Sequence, residues 1–135
     1  MIAPGRPALA AALALSLGGC AAAAVGLPPL LTGPTGAATL GRVICPDGVI
    51  PVRVEFAEKL TRRLEQRFPP GSNEAALVAA LTREKFALST TCTDHSVRTA
   101  DYESRSGDRA ATIYWQADPA GRMLWIGAAV AYTPL

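Results

Sequence analysis

The chain has almost no excess of charge of either sign. Its 13 lysines and arginines stand against 11 aspartates and glutamates, which gives a formal net charge of +2 over 135 residues. A nucleic-acid-binding domain usually carries a clear basic excess, because it must neutralise phosphates. We therefore expect no nucleic-acid partner.

Residues that commonly hold metals or cofactors are equally scarce. There is a single histidine, His95, and the three cysteines form no C-x-x-C pair. The sequence also contains no glycine-rich phosphate loop and no pair of carboxylates that stands out as an acid–base site. We predict no metal site, no small-molecule cofactor and no enzymatic activity.

Asp94, His95 and Ser96 are the residue types of a catalytic triad, but they are adjacent in sequence. Side chains of adjacent residues rarely point at one another, and a triad is defined by its geometry in space. We interpret this run as a polar loop.

An apolar N-terminal segment is the strongest feature that is present. Arg6 precedes an almost entirely apolar run at residues 8–17, and small residues follow. This is the layout of a secretory signal peptide. Leu17-Gly18-Gly19-Cys20 resembles the lipobox of bacterial lipoproteins, in which the cysteine thiol receives a diacylglycerol and becomes the first residue of the mature protein. The resemblance implies a signal peptide at residues 1–19 and a lipid on Cys20.

Two alternatives stay open for this segment. A different peptidase could cut in the alanine run at residues 21–24 and release a soluble secreted protein. Residues 7–31 could instead remain as a membrane anchor, although Pro28, Pro29 and three glycines interrupt them as a helix. We expect a lipid-anchored protein on the periplasmic face of the cell envelope. Ala21, rather than an aspartate, follows the cysteine and favours the outer membrane by analogy with enteric lipoproteins.

The segment that starts at the lipobox cysteine predicts a flexible tether. Residues 20–40 contain prolines and glycines but no charged side chain, and a flexible chain of about 20 residues spans roughly 25 Å. Residues 41–135 would then form one small periplasmic domain. In the alternative interpretation, Leu27, Leu30 and Leu31 pack onto that domain.

Residue periodicity predicts two helices in the middle of the chain. Apolar residues at every fourth position favour a first helix from about Glu55 to Arg67, which Pro69-Pro70 ends. Ser72 or Asn73 should cap a second helix that ends near Lys85.

Alternation of apolar and polar residues predicts four strands after the helices. A turn is expected at Asp118-Pro119-Ala120-Gly121, between the last two of them. Because helices and strands are segregated along the chain, we predict an α+β domain. Two helices would pack on one face of a three- to four-stranded antiparallel meander, with a small strand pair ahead of them. The strands are expected at residues 86–92, 97–103, 110–117 and 122–132.

The cysteine count is consistent with this organisation. With Cys20 lipidated, Cys45 and Cys92 remain as a pair, and an oxidising periplasm favours a disulfide between them. Closing a loop of about 47 residues stabilises a fold by about 4 kcal/mol on the chain-entropy estimate. The inner face of the first strand, which includes Leu88, would carry this disulfide.

A second resemblance concerns the domain itself. Gly71-Ser72-Asn73, followed by Leu77 and Leu81, is similar to the helix start of small outer-membrane lipoproteins of the SmpA/OmlA (BamE-like) type. An aromatic-rich strand and the Asp-x-x-Gly turn at residues 118–121 resemble the next part of that pattern. The resemblance covers about residues 70–130. It implies a short helix followed by three antiparallel strands in an outer-membrane lipoprotein.

Aromatic side chains are the best candidates for recognition. Tyr114 and Trp115 are adjacent in one predicted strand and must point to opposite faces. If the helices cover only one face, one of the two lies outside the core, where it would suit a protein interface. With Tyr102 and Trp125 from the neighbouring strands, they form the candidate interface.

These features favour a non-enzymatic envelope lipoprotein, bound to the membrane through the lipid on Cys20 and to an envelope protein or cell-wall partner. Such a protein should show a flat apolar patch on the exposed sheet face. The alternative is a small secreted, disulfide-tied inhibitor of a periplasmic or extracellular hydrolase. An inhibitor should instead present a protruding loop, for which Thr93–Ser96 and Ser104–Asp108 are the candidates.

Overall fold

The computed structural model of the protein describes residues 27–39, 41–45, 53–103 and 109–130. The predicted signal peptide, Cys20 and the loop Ser104–Asp108 lie outside these ranges. In chain order the elements are a 3₁₀ turn at Pro29–Leu31, strands β1 (Arg42–Val43) and β2 (Arg53–Val54), helices α1 (Glu58–Arg67) and α2 (Glu74–Arg83), and strands β3 (Ala87–Thr91), β4 (Val97–Glu103), β5 (Arg109–Ala117) and β6 (Met123–Val130).

The four later strands form one antiparallel sheet in the order β3-β4-β5-β6, so each pairs with its neighbour in sequence. Both helices pack on the same face of this sheet, and β1 and β2 form a separate antiparallel pair. The predicted α+β meander is confirmed. The core between the helices and the sheet contains side chains that are at most 2% exposed, among them Leu60, Leu64, Leu77, Leu81, Ile113, Trp115 and Ile126.

Helix α1 begins at Glu58, later than predicted, because the residues before it are held in extended pairing. The carbonyl oxygen of Phe56 accepts a hydrogen bond of 2.8 Å from the amide of Thr39. The amide of Ala57 donates a hydrogen bond of 2.8 Å to the carbonyl oxygen of Ala128 on β6. The extended backbone at Phe56 and Ala57 therefore continues directly to the start of the helix.

The start of α2 follows the prediction closely. Asn73 is its N-cap, and its side-chain oxygen accepts a hydrogen bond of 3.0 Å from the amide of Ala75. The helix ends at Arg83, slightly earlier than expected, and Lys85 follows with a φ of 71°. A left-handed residue just after a helix is a common way to end it.

Residues 28–39, which we call the strap, lie against the helices. Leu30 and Leu31 are only 5% and 4% exposed and belong to the helix-side core, whereas Leu27 is 43% exposed. The prediction of a flexible tether over residues 20–40 is therefore wrong for the strap. Two buried leucines contribute roughly 1.5–3 kcal/mol each to holding this proline-rich segment on the surface of the domain.

The strap also caps α1. The N-cap residue Ala57 has no side-chain acceptor, so the first amides of the helix need other partners. The carbonyl oxygen of Thr35 accepts from the amide of Lys59, and that of Ala37 accepts from the amide of Glu58, both at 2.9 Å. Backbone carbonyls of the strap thus replace the serine or aspartate that usually occupies this position.

Arg63 of α1 fixes the strap from the other side. Its guanidinium donates hydrogen bonds to the carbonyl oxygens of Thr32 and Pro34. Gly33, between them, has a φ of 120°, and a Cβ atom there would overlap the Arg63 guanidinium. The positive φ therefore favours glycine at this position.

The hairpin between β5 and β6 has the predicted turn. The amide of Gly121 donates a hydrogen bond of 2.9 Å to the carbonyl oxygen of Asp118, and Gly121 has a φ of 81°. The amide of Asp118 donates a 2.9 Å bond to the carbonyl oxygen of Arg122. This is a type I turn followed by a left-handed residue, a common three-residue hairpin loop.

Strand β3 differs from the prediction. Leu88 lies opposite Ala100 of β4 and so belongs to the helix side of the sheet, yet it is 47% exposed. All residues from Ala87 to Thr90 are exposed. The predicted buried inner face of this strand is confirmed at Phe86, which is 6% exposed in the helix-side core, and is wrong at Leu88 and Thr90, which are exposed.

Cys45 and Cys92 form the predicted disulfide, with a Cα–Cα distance of 5.4 Å. It does not lie on the helix side of the sheet. Cys92 leaves β3 with a φ of 72°, and the disulfide packs with Ile44, Phe56 and Val97 on the opposite face. The disulfide therefore ties the segment after β1 to the turn after β3.

Candidate interaction surfaces

Trp115 is a core residue, 1% exposed, on the helix side of the sheet. Its indole Nε1 donates a hydrogen bond of 2.7 Å to Oε2 of Glu74, and the same oxygen accepts a 2.5 Å bond from Nη1 of Arg98. A buried indole N–H needs an acceptor, and Glu74 supplies it from the first turn of α2. The prediction that Trp115 contributes to an interface is therefore wrong.

Tyr114 and Trp125 lie on the opposite face and are half-buried. Their rings pack beside the ring of Phe56, with centroid distances of 6.0 and 6.3 Å. Trp125 also donates a 2.9 Å hydrogen bond from Nε1 to Oε1 of Gln116. With the disulfide they form a second apolar cluster. The sheet face that was expected to be open for a partner is thus partly covered.

Phe56 can reach this second cluster because the chain at Ala57 runs along the edge of β6. Ala57 packs in the helix-side core and Phe56 packs on the opposite face. Gly127 of β6 makes the space, because a Cβ atom there would overlap the Phe56 ring. No pattern in the sequence linked these two positions.

The fourth aromatic residue, Tyr102, is half-buried on the helix side. Its ring packs against Phe86 with a centroid distance of 5.4 Å. Tyr102 and Trp115 therefore belong to one face, and Tyr114 and Trp125 to the other. The structure does not bring the four predicted interface aromatics together into one surface.

The loop after β3 is exposed and locally ordered. Oδ1 of Asp94 accepts a 3.1 Å hydrogen bond from the amide of Ser96, and Nδ1 of His95 lies 2.9 Å from Oγ1 of Thr90. Hydrogen bonding from Ser96 lowers the pKa of Asp94. A triad would place the imidazole between the carboxylate and the hydroxyl. Here the imidazole bonds to Thr90 and the other two residues bond to each other.

The outer edge of β3, which no other described strand pairs with, is the surface that sequence reasoning missed. Its sequence, Ala-Leu-Ser-Thr-Thr, alternates well enough to predict a strand, and a buried face was assigned to it from that alternation. The available signal was the small size of these residues. Leu88 is the only large apolar side chain among them, so the strand has little to bury.

A cleft of about 440 Å³ runs beside α1. Within it Nη2 of Arg62 and Oε1 of Glu58 form an ion pair of 3.0 Å, with side chains 63% and 46% exposed. Exposed helical pairs of this spacing contribute only about 0.3–0.5 kcal/mol. The described residues that line the cleft are Thr39, Gly41, Phe56, Glu58, Thr61, Arg62 and Glu65.

Among the described residues, no helix is both long and apolar enough to cross a membrane, and no three His, Cys, Asp or Glu side chains are grouped as metal ligands. Comparison with models of known protein families, with curated proteins and with solved structures finds no match. The proposals that follow rest on the residues and contacts of this chain.

Proposed function

We propose that this protein is a lipid-anchored, non-enzymatic protein-interaction module of the bacterial cell envelope. The observation that carries the proposal is the pairing of the cysteines. Cys45 and Cys92 form a disulfide, which is typical of an oxidising compartment. The third cysteine, Cys20, then remains at the end of a lipobox-like sequence. Each cysteine thus has a role that agrees with export and anchoring.

Membrane attachment is tested with the full chain expressed in a bacterial host. Wild type should fractionate with the membranes and incorporate a palmitate analogue. Cys20→Ala should lose the label and much of the membrane association. Cys45→Ala/Cys92→Ala is the matched control, because it removes two cysteines but keeps the lipobox, and it should still be labelled. Unlabelled wild type that is soluble and begins beyond Cys20 would contradict the proposal.

The interaction role is tested by cross-linking in intact cells. The lipid-anchored wild type should give discrete cross-linked species that the soluble Cys20→Ala form gives less efficiently, because anchoring restricts where the domain can meet a partner. Identical species at identical yield for both forms would show that the interaction does not require the lipid anchor. A complete absence of cross-linked species would count against an interaction module.

An inhibitor of an extracytoplasmic hydrolase is the second candidate, and one observation favours it. Thr93, Asp94 and His95 are exposed at the tip of a loop that begins at the disulfide-bonded Cys92 and is ordered by the bonds to Ser96 and Thr90. A loop that is rigid before binding loses less entropy on entering a cleft. Inhibition assays against periplasmic and secreted hydrolases, with Asp94→Ala and His95→Ala as loop variants, would test it. Absence of inhibition by wild type would exclude this role for the hydrolases assayed.

A further inference from the structure

The packed strap limits how far Cys20 can lie from the domain. The amide of Leu30 donates a hydrogen bond of 2.8 Å to Oε1 of Glu84, the C-cap residue of α2. Only residues 21–27 separate Cys20 from the strap, and a chain of about seven residues spans at most about 25 Å when fully extended. A lipid on Cys20 would therefore keep the end of α2 close to a bilayer.

The domain has two distinct ends. At the anchor end, as we call it, the end of α2 lies beside the start of the strap, and the strap carbonyls cap the first turn of α1. At the far end, the start of α2 lies beside the β5–β6 turn, since Asn73 and Arg122 form an antiparallel bridge. Strand β6 runs from the far end, where Met123 bonds to Gly71, to the anchor end, and it spans about 25 Å.

The helix side of the domain is basic at the anchor end and not at the far end. The strap itself has no charged side chain. With residues 58–63 of α1 and residues 83–85 around the end of α2, it forms a surface that we call the strap face. This face has five basic residues against two acidic ones, a net charge of +3: Lys59, Arg62, Arg63, Arg83, Lys85, Glu58 and Glu84. The remaining parts of the two helices carry only Glu65, Arg67 and Glu74, a net charge of −1.

The two acidic residues of the strap face are engaged within the domain. Glu58 pairs with Arg62 at 3.0 Å, and Glu84 accepts the hydrogen bond from the strap. Arg83 and Lys85 are exposed, and neither forms an ion pair with another described residue. The basic charge at the end of α2 is therefore available to an anionic partner.

We propose that the strap face rests on an anionic phospholipid bilayer, with Leu27 at the boundary of the acyl chains. The proposal rests on the proposed lipidation of Cys20, which brings this surface to the membrane. Each basic residue close to an anionic leaflet strengthens attachment by about fivefold. Leu27, which directly precedes the strap and is 43% exposed, adds apolar contact with lipid. The far end, with the β5–β6 turn, then faces away from the bilayer and towards a protein partner.

Labels at the two ends of the full, lipidated chain test this orientation. With Cys20 lipidated and Cys45 bonded to Cys92, an introduced cysteine is the only free thiol of the mature chain. Thr82→Cys, exposed at the end of α2, and Ala120→Cys, exposed in the β5–β6 turn, each receive a fluorescent label. The protein is reconstituted in vesicles of phosphatidylcholine and phosphatidylserine that contain a lipid with a nitroxide on its headgroup. Because the ends are about 25 Å apart, the nitroxide should quench the label at residue 82 roughly threefold more than the label at residue 120.

Charge reversal tests which surface meets the headgroups. Arg83→Glu/Lys85→Glu should remove most of the difference in quenching, because it replaces attraction to the anionic leaflet by repulsion. Arg67→Glu/Arg122→Glu makes the same change of net charge away from the strap face and should preserve the difference. Vesicles of phosphatidylcholine alone should reduce the difference without any charge reversal, so the test does not depend on the folding of the reversed variants.

Three results would overturn the proposal. Equal quenching at residues 82 and 120 of a lipidated chain would contradict the orientation and leave the lipid anchor standing. The same difference in neutral and anionic vesicles would exclude attraction between the strap face and anionic headgroups. A chain that incorporates no palmitate analogue would overturn this proposal together with the proposed function. Palmitate labelling of the same samples therefore distinguishes the two failures.

Discussion

Glu74 and Trp115 join the two layers of the domain through a single hydrogen bond of 2.7 Å, from the indole Nε1 to a carboxylate oxygen. The side chain of Glu74 is only 16% exposed, and it also binds Arg98. The first turn of α2 is thereby fixed above β4 and β5.

Glu74→Ala should destabilise the domain by about 1–3 kcal/mol, because it leaves a buried indole N–H without an acceptor. Urea unfolding followed by tryptophan fluorescence measures this loss. Glu74→Gln should lose less, since its amide oxygen can still accept from Trp115. Glu65→Ala, on the exposed side of α1, is the control and should change stability by less than about 0.5 kcal/mol. Equal losses for Glu74→Ala and Glu65→Ala would contradict the role of this contact.

Gly127→Ala should destabilise the domain by about 1–3 kcal/mol, because its Cβ overlaps the Phe56 ring and forces the second cluster apart. Phe56→Leu alone should also be destabilising, since it shrinks a buried ring. The double variant should lose less than the sum of the two single losses, because the smaller side chain makes room for the methyl group. Thermal or urea unfolding of the four proteins completes this cycle, and strict additivity would argue against the contact.

Removal of the disulfide by Cys45→Ala/Cys92→Ala should lower the free energy of unfolding by about 4 kcal/mol, because the unfolded chain regains a loop of 47 residues. Reductant should destabilise wild type similarly and leave the double variant unchanged. Near-ultraviolet circular dichroism should report loosening around Trp125 and Tyr114, which share the cluster with the disulfide. A double variant as stable as oxidised wild type would show that the disulfide makes no net contribution.

Leu31→Ala should destabilise the domain by about 2–5 kcal/mol, because Leu31 fills part of the core. Leu27→Ala is the matched control, with the same change of side chain at a position that is 43% exposed. It should alter stability by less than about 0.5 kcal/mol. Chemical denaturation of the two variants distinguishes a packed strap from a free tether, for which both substitutions would have equally small effects.

The helices and strands could be predicted from local patterns, whereas the faces that they bury could not. Strand β4 has the predicted bounds, and Asn73 caps α2 as expected, because alternation and capping are properties of neighbouring residues. Which strand the helices cover is decided by long-range packing, so β3 was given a buried face that it does not have. The disulfide could be predicted from the number of cysteines, but its face could not, because it depends on the turn at Cys92.

A flexible tether was preferred to a packed strap for a related reason. A segment rich in proline and glycine and without charge looks like a linker. Packing of Leu30 and Leu31 was therefore only the alternative interpretation, and the acceptors that the strap offers to α1 are recognisable only once the helix end is known to lack a side-chain cap. The four aromatic residues show the same limit. Alternation correctly separated Tyr114 from Trp115, but it gave no sign that Phe56 would cross the β6 edge to cover one of the two faces.

The position of the strap has a mechanical consequence for a chain lipidated at Cys20. Tension between the membrane and a bound partner would reach the strap before it reaches the sheet. The contacts of Leu30 and Leu31 and the carbonyl bonds to Arg63 and the start of α1 would resist that tension first. Their release would lengthen the connection to the membrane by at most about 3.3–3.6 Å per freed residue. The strap could thus yield under a pull while the Cys45–Cys92 disulfide and the four-stranded sheet stay folded.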